Sequence, residues 1–172
     1  DPWEWRELIA RSGEVAYGKF FHKKAGFISK EWFPYFANYR RDGYDFDARW
    51  EDGLASMRCK KIMDEFENRE EWMSHELKKQ AGFGKGGEKN YSGIITELQM
   101  QTYLITRDFR QKRNKKGTEY GMAVSVYMTP EELWGHNLVT SAYKETPETS
   151  GERIYRRVME QYPNVSEKQI KT

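Results

Sequence analysis

Among its 172 residues the chain has one cysteine, Cys59. That excludes an internal disulfide and a zinc site built on cysteines. Cys59 falls in a helical pattern beside Ile62 and Met63 and reads as a small buried apolar residue rather than a nucleophile. No stretch approaches the roughly 18 consecutive apolar residues of a transmembrane helix, and no signal peptide opens the sequence. The expected location is therefore reducing and cytoplasmic, with no membrane partner. Histidine is scarce too. His22, His75 and His136 are scattered, no two on one helical face, so neither a metal nor a cofactor is expected. The first residue is Asp1 rather than Met, which reads as a trimmed or processed segment.

Aliphatic residues are also few. The chain is 37% hydrophobic and 33% charged, with 15% aromatic residues. Trp, Tyr and Phe must supply much of the core area, and their abundance argues against disorder. The length suits one domain, or one domain with an appendage.

Positive charge is concentrated. The run Arg107-Asp108-Phe109-Arg110-Gln111-Lys112-Arg113-Asn114-Lys115-Lys116-Gly117 holds six basic residues and one acidic one, a local charge of +5 against +2 for the whole chain. The remainder carries 23 basic and 26 acidic residues. β-type runs flank this segment, Tyr103 to Phe109 and Met122 to Met128, so it reads as the tip of a hairpin. Fixed Lys and Arg on such a tip release counterions condensed on a nucleic acid, which makes DNA the expected partner.

The preceding segments give that hairpin a context. Leu54 to Glu67 carries apolar residues near the helical period. Glu70 to Gly82 reads as a short helix with Ser74 as cap and Gly82 as stop. Gly82-Phe83-Gly84-Lys85-Gly86-Gly87 is a flexible turn. It lacks the Gly-Lys-Ser/Thr close of a P-loop and follows a helix rather than a strand. Tyr91, Ile94, Ile95 and Leu98 fall at i, i+3, i+4 and i+7, one face of a third helix. Three helices followed by strand, basic loop and strand form the order of a winged helix, whose third helix lies in the major groove while the wing meets phosphates. The expected fold class is α+β, mainly helical.

Three regions are expected. Residues 1–53 form an aromatic-rich helical extension, 54–135 the winged helix, and 136–172 a polar linker with a C-terminal helix. The extension opens on a helix over 1–12, with Asp1 as cap, Pro2 in the first turn and Trp3, Trp5, Leu8 and Ile9 as apolar anchors. From Val15 to Arg41 aromatic and basic residues interleave. Such interleaving can clamp a single strand. A core layer with Lys and Arg stems at its edge is preferred, because little else is available to build a core. The acidic stretch 42–52 reads as a loop into a helix, without calcium-loop spacing. Thr129-Pro130-Glu131-Glu132 has the order of a capped helix start. Residues 136–151 read as irregular, and Glu152 to Tyr162 as a last amphipathic helix on a flexible stem.

The nucleic-acid contacts expected on the wing are Arg107, Arg110, Lys112, Arg113, Lys115 and Lys116. On the third helix Lys89, Asn90, Thr96 and Gln99 are the candidates, the last three as readers of base edges. Glu88 and Glu97 on the same helix would repel phosphates, so the reading is backbone contact with little sequence selectivity. No catalytic residue is assigned.

Three stretches resemble the AlkZ/YcaQ-type winged-helix DNA glycosylase family, in particular its short AlkZ-related members. Ala16 to Ile28 followed by Trp32-Phe33-Pro34-Tyr35 is similar to the family's aromatic, histidine-containing segment. Ile94-Ile95-Thr96-Glu97-Leu98 through Tyr103-Leu104-Ile105 looks like its recognition helix running into the wing. Tyr127-Met128-Thr129-Pro130-Glu131-Glu132-Leu133-Trp134 resembles the tyrosine, x, x, proline, glutamate close of that wing. The resemblance implies DNA repair by N-glycosidic hydrolysis of alkylated or cross-linked bases. Family enzymes are longer and carry a Gln-x-Gln or Gln-x-Asp motif earlier in the chain. Gln99-Met100-Gln101 has that form at the end of the third helix, where a polar helix end is the simpler reading. The alternatives to a non-catalytic DNA-binding protein are thus a small glycosylase using Gln99 and Gln101, and a winged-helix module for an acidic protein partner.

Overall fold

The computed structural model describes residues 2–161. The expected Asp1 cap and Tyr162 helix end, and the side chain of Trp3, lie outside the described residues.

Helix α1 (Pro2–Ser12) ends at Gly13, whose φ of +78° suits a residue without a Cβ. The next segment departs from the expected helical extension. It is a hairpin of β1 (Val15–Phe21) and β2 (Lys24–Ser29), turned at His22 and Lys23, both with positive φ (52° and 64°) as two-residue hairpin turns require. Along β1 the buried positions alternate, but Ala16 and Gly18 hold two of them and only Phe20 is large. Gly18 sits opposite Gly26, and a Cβ on Gly26 would lie 2.7 Å from the Phe21 ring, so the ring packs against bare backbone.

Three helices follow: α2 (Phe33–Arg41), α3 (Phe46–Glu51) and α4 (Met57–Glu65). Ser56 caps α4 by accepting a hydrogen bond from the Cys59 amide at 3.1 Å. Strand β3 (Trp72–Met73) leads straight into α5 (Ser74–Gln80). Met73 is the N-cap of α5, not Ser74, whose hydroxyl instead lies 3.1 Å from the Tyr91 phenol. Helix α6 (Tyr91–Met100) precedes the long hairpin of β4 (Ile105–Arg113) and β5 (Glu119–Met128). Thr129 caps α7 (Pro130–Trp134) as its sequence implies, accepting from the Glu132 amide at 3.1 Å. The region expected to be irregular holds α8 (His136–Val139) and a 3-10 turn over Ser141–Lys144. The last helix, α9 (Pro147–Gln161), starts five residues before the expected Glu152 and packs against α2. Gly151 permits that approach, since a Cβ there would sit 2.6 Å from the Tyr39 ring.

All five strands form one antiparallel sheet in the order β2-β1-β4-β5-β3. One core cluster joins α4, α5 and α6 to the sheet through residues such as Ile62, Leu77, Ile95 and Leu98. A second joins the first hairpin to α2, α7 and α8 through Phe20, Phe33 and Val139. Phe20 and Phe33 are fully buried, so these aromatics belong to the core. The fold is mixed α and β.

Candidate nucleic-acid interface

The β4-β5 hairpin closes on a tight tip. The Asn114 carboxamide oxygen accepts from the amides of Lys116 (2.9 Å) and Thr118 (3.0 Å), and Gly117 adopts φ +81°. Asn114 thereby fixes the backbone that carries Lys115 and Lys116. Both are exposed.

The six basic residues of this hairpin fall into two sets. Arg107 donates to the Ala10 carbonyl at 2.6 Å and anchors α1. Arg110 pairs with Asp108 (2.8 Å) and Glu71 (2.9 Å). Arg113 pairs with Glu119 at 2.9 Å and donates to the Gly117 carbonyl. These arginines are engaged within the fold. The side-chain ammonium groups of Lys112, Lys115 and Lys116 have no hydrogen-bond or ion-pair partner among the described residues. The uncompensated charge of the hairpin is therefore carried by three lysines at its far end.

Asp108 ties the base of the hairpin together. Its burial works against the carboxylate, but hydrogen bonds from Arg11, the Phe109 amide and Arg110 outweigh that cost and hold its pKa below the usual range. A carboxyl depressed on folding contributes stability above its unfolded pKa and loses it as pH falls through the folded value. Stability measured by urea denaturation should thus decline below about pH 4 in the native protein. An Asp108→Asn variant should be less stable at neutral pH, with a flatter decline on acidification.

The α6 candidates separate in the same way. Lys89 and Asn90 are exposed at its start, Asn90 in the left-handed region with φ 65°. Thr96 and Gln99 are buried, 7% and 1% exposed. Strand β1 lies over Gln99. The Gln99 carbonyl oxygen accepts from the Lys19 amide at 3.1 Å, and its amide nitrogen donates to the Ile95 carbonyl at 3.0 Å. Neither side chain is presented to a base edge: Thr96 is buried, and a hairpin 80 residues away in sequence lies over Gln99. Glu88, expected to repel phosphates, is bridged by Arg58 (3.0 Å) and Lys61 (3.1 Å), whose hydrogen bonds hold its carboxyl below the usual range.

Gln99 also forms part of the wall of an open cavity of ≈ 620 Å³ bounded by the aromatic rings of Trp5, Tyr17, Phe27, Phe109 and Tyr127. Gln101 is half-buried at the end of α6 and does not line it. Among the described residues no group of three His, Cys, Asp or Glu side chains could hold a metal. His136 pairs instead with Asp45 at 2.8 Å. Cys59 is buried, and burial raises its thiol to about 11. No helix among the described residues is long and apolar enough to cross a membrane.

A family model described as AlkZ related matches residues 1–172, the whole chain. The chain belongs to the AlkZ-related family. No curated protein and no solved structure gives a significant match. In this AlkZ-related protein the three stretches that carry the resemblance have definite places. Ala16 to Ile28 makes the β1-β2 hairpin over α6, and Trp32-Phe33-Pro34-Tyr35 opens α2. Ile94 to Ile105 runs from α6 into β4, and Tyr127 to Trp134 ends β5 and forms α7.

Two exposed residues of the hairpin carry no signal in the charge pattern. Tyr120 and Met122 are exposed on β5, 50% and 86%. A large apolar residue on each side of Gly121, directly after the polar run 110–119, is their trace in the sequence.

Proposed function

We propose that this AlkZ-related protein is a DNA-binding winged-helix protein of DNA repair that grips the phosphate backbone through its wing and carries no catalysis of its own. The order α4, β3, α5, α6, β4, β5 supports the winged-helix reading, as does the pairing of β3 with β5 beside β4. Membership of the AlkZ-related family supports the repair setting. The observation that carries the proposal is the set Lys112, Lys115 and Lys116, their ammonium groups unpartnered at a tip whose backbone is fixed. Lys89 and Asn90 at the start of α6 supply further polar contacts.

The test is a salt titration of duplex binding. With three to five phosphates neutralised, log K should fall against log salt with a slope of about −3 to −5. Replacing Lys112, Lys115 and Lys116 together by alanine should flatten that slope by about 3. An unchanged slope, or no binding at low salt, would overturn the proposal; the latter result with retained binding to an acidic protein would make the fold a protein-interaction module.

One observation favours a second reading, a small glycosylase. Gln99 stands at the wall of the aromatic cavity. Against it, both polar atoms of the Gln99 amide are already bonded to backbone. Abasic-site formation on alkylated DNA that disappears in Gln99→Ala or Gln101→Ala would establish this reading.

A further inference from the structure

We propose that the wing is a wedge as well as a clamp: Tyr120 and Met122 enter the base stack of duplex DNA at a step where stacking is already interrupted, while the neighbouring lysines hold the flanking phosphates. This rests on the DNA-binding reading above and adds to it the kind of DNA recognised.

The argument starts from the backbone of the hairpin. Arg110 pairs with Val124 and Lys112 with Tyr120, so β5 uses more residues than β4 between these two rungs. That is a bulge, a device that re-aims a side chain out of the strand. Gly121 takes φ +71° within it, and its carbonyl accepts from the Gln111 amide side chain at 2.7 Å, which pins the bulge in place. Met122 emerges from this bulge with 86% of its surface exposed. Among the described residues it belongs to neither core. Tyr120 is half exposed directly across from Lys112.

Large apolar side chains projecting from a two-stranded ribbon do nothing for the core and cost solvation. Their neighbours indicate what they meet. Lys112 is the cross-strand partner of Tyr120, and Lys115 and Lys116 lie just beyond it on the turn; none of their ammonium groups has an intramolecular partner among the described residues. An aromatic ring and a thioether beside unpartnered ammonium groups match the chemistry of a nucleic-acid strand, with π faces between phosphates. Aromatic side chains stack on bases regardless of sequence, and methionine is among the apolar wedges that proteins insert between base steps. Insertion into an intact stack has to break that stack. At an unpaired nucleotide the stack is already broken, so the same contact is made without that loss.

The full chain would be titrated by fluorescence anisotropy against two short duplexes of one sequence, one fully paired and one with a single-nucleotide bulge. A 2-aminopurine beside the bulge reports stacking. The native protein should prefer the bulged duplex by about tenfold, with a change in 2-aminopurine emission, as one base–aromatic contact predicts. The double variant Tyr120→Ser, Met122→Ser should bind the paired duplex as before and lose the preference, while Tyr120→Phe should keep it. Replacing the three lysines by alanine should weaken binding to both duplexes alike. Equal affinity of the native protein for the two duplexes, or a preference that survives the double variant, would overturn the wedge and leave backbone binding standing. The second result would place recognition of the bulge on other residues. Failure to bind either duplex at low salt would overturn both readings. All the substituted positions lie on the hairpin surface, and a thermal melt of each variant confirms the fold.

Discussion

Replacing Arg41 by alanine is expected to remove about 3–5 kcal/mol of folding stability, seen as a lower urea midpoint with an unchanged slope. Arg41 is the largest fully buried side chain among the described residues, with 0% exposure. A bare guanidinium there would be untenable, and its surroundings answer each of its donors. Glu131 on α7 accepts at 2.9 and 3.2 Å, Tyr143 at 3.3 Å, and Thr102 with both its hydroxyl (3.1 Å) and its carbonyl (2.8 Å). The guanidinium also lies over the Tyr103 ring, 4.6 Å from its centre. Burial works against the cation, but Glu131 and Tyr143 outweigh it and leave Arg41 even more basic than usual. Removing the cation strands the Thr102 carbonyl and part of the Glu131 carboxylate, and the unpaired remnant rather than the lost attraction sets most of the cost. Glu131→Ala should be similarly harmful because it strands the charge instead. The double variant should therefore lose clearly less than the two single losses added, with a coupling above about 1 kcal/mol. Additive losses would show that the pair does not act as a unit.

The same contact bears on the β4-β5 hairpin. Thr102 has φ 68°, a left-handed conformation that is unusual for a β-branched residue, at the turn from α6 into β4. Both of its bonds to Arg41 act on that turn. Arg41 thus sets how α6 passes into the β4-β5 hairpin, and Glu131, the glutamate of the proline-glutamate motif, holds Arg41. The motif that resembles the close of a wing has a structural task here.

What could be read from the sequence follows from how local each signal is. The face of α6 is legible because Ile94, Ile95 and Leu98 recur at the helical period and all turn inward. The Thr129 cap is legible because its partner, Glu132, lies three residues on. The β1-β2 hairpin is hidden because its inward positions include Ala16 and Gly18, while Tyr17 and Phe21 lie partly outward. Size and hydropathy therefore run against the alternation that marks a strand. The charge of the β4-β5 hairpin is legible as a total, but its division is not. Arg107 is engaged by Ala10 and Arg110 by Glu71, both remote in sequence. Thr96 and Gln99 follow the same rule, since on an isolated helix they would face water.

Phe20→Ala is the second large loss expected, again about 3–5 kcal/mol. The ring is fully buried and meets Phe21 and Phe33 edge to face, each with centroids 6.3 Å apart. Truncation leaves a cavity that β1 has little freedom to close. Its flank is tied down by Arg40, which donates to the Phe20 carbonyl at 2.8 Å and to the Met100 carbonyl at 2.9 Å. Phe20→Leu, which keeps most of the volume, should cost well under half as much. The consequence should extend to the neighbouring strand residue. Lys19 holds Gln99 through its amide, so loosening β1 weakens the cover over α6. Hydrogen exchange at the Lys19 amide should therefore accelerate in Phe20→Ala by more than the global loss of stability requires. The salt slope of DNA binding should not change while the variant is folded, because the three lysines stand on a different hairpin. A slope that fell with Phe20→Ala would mean that the strand covering α6, and not the wing alone, contributes to the contact with phosphates.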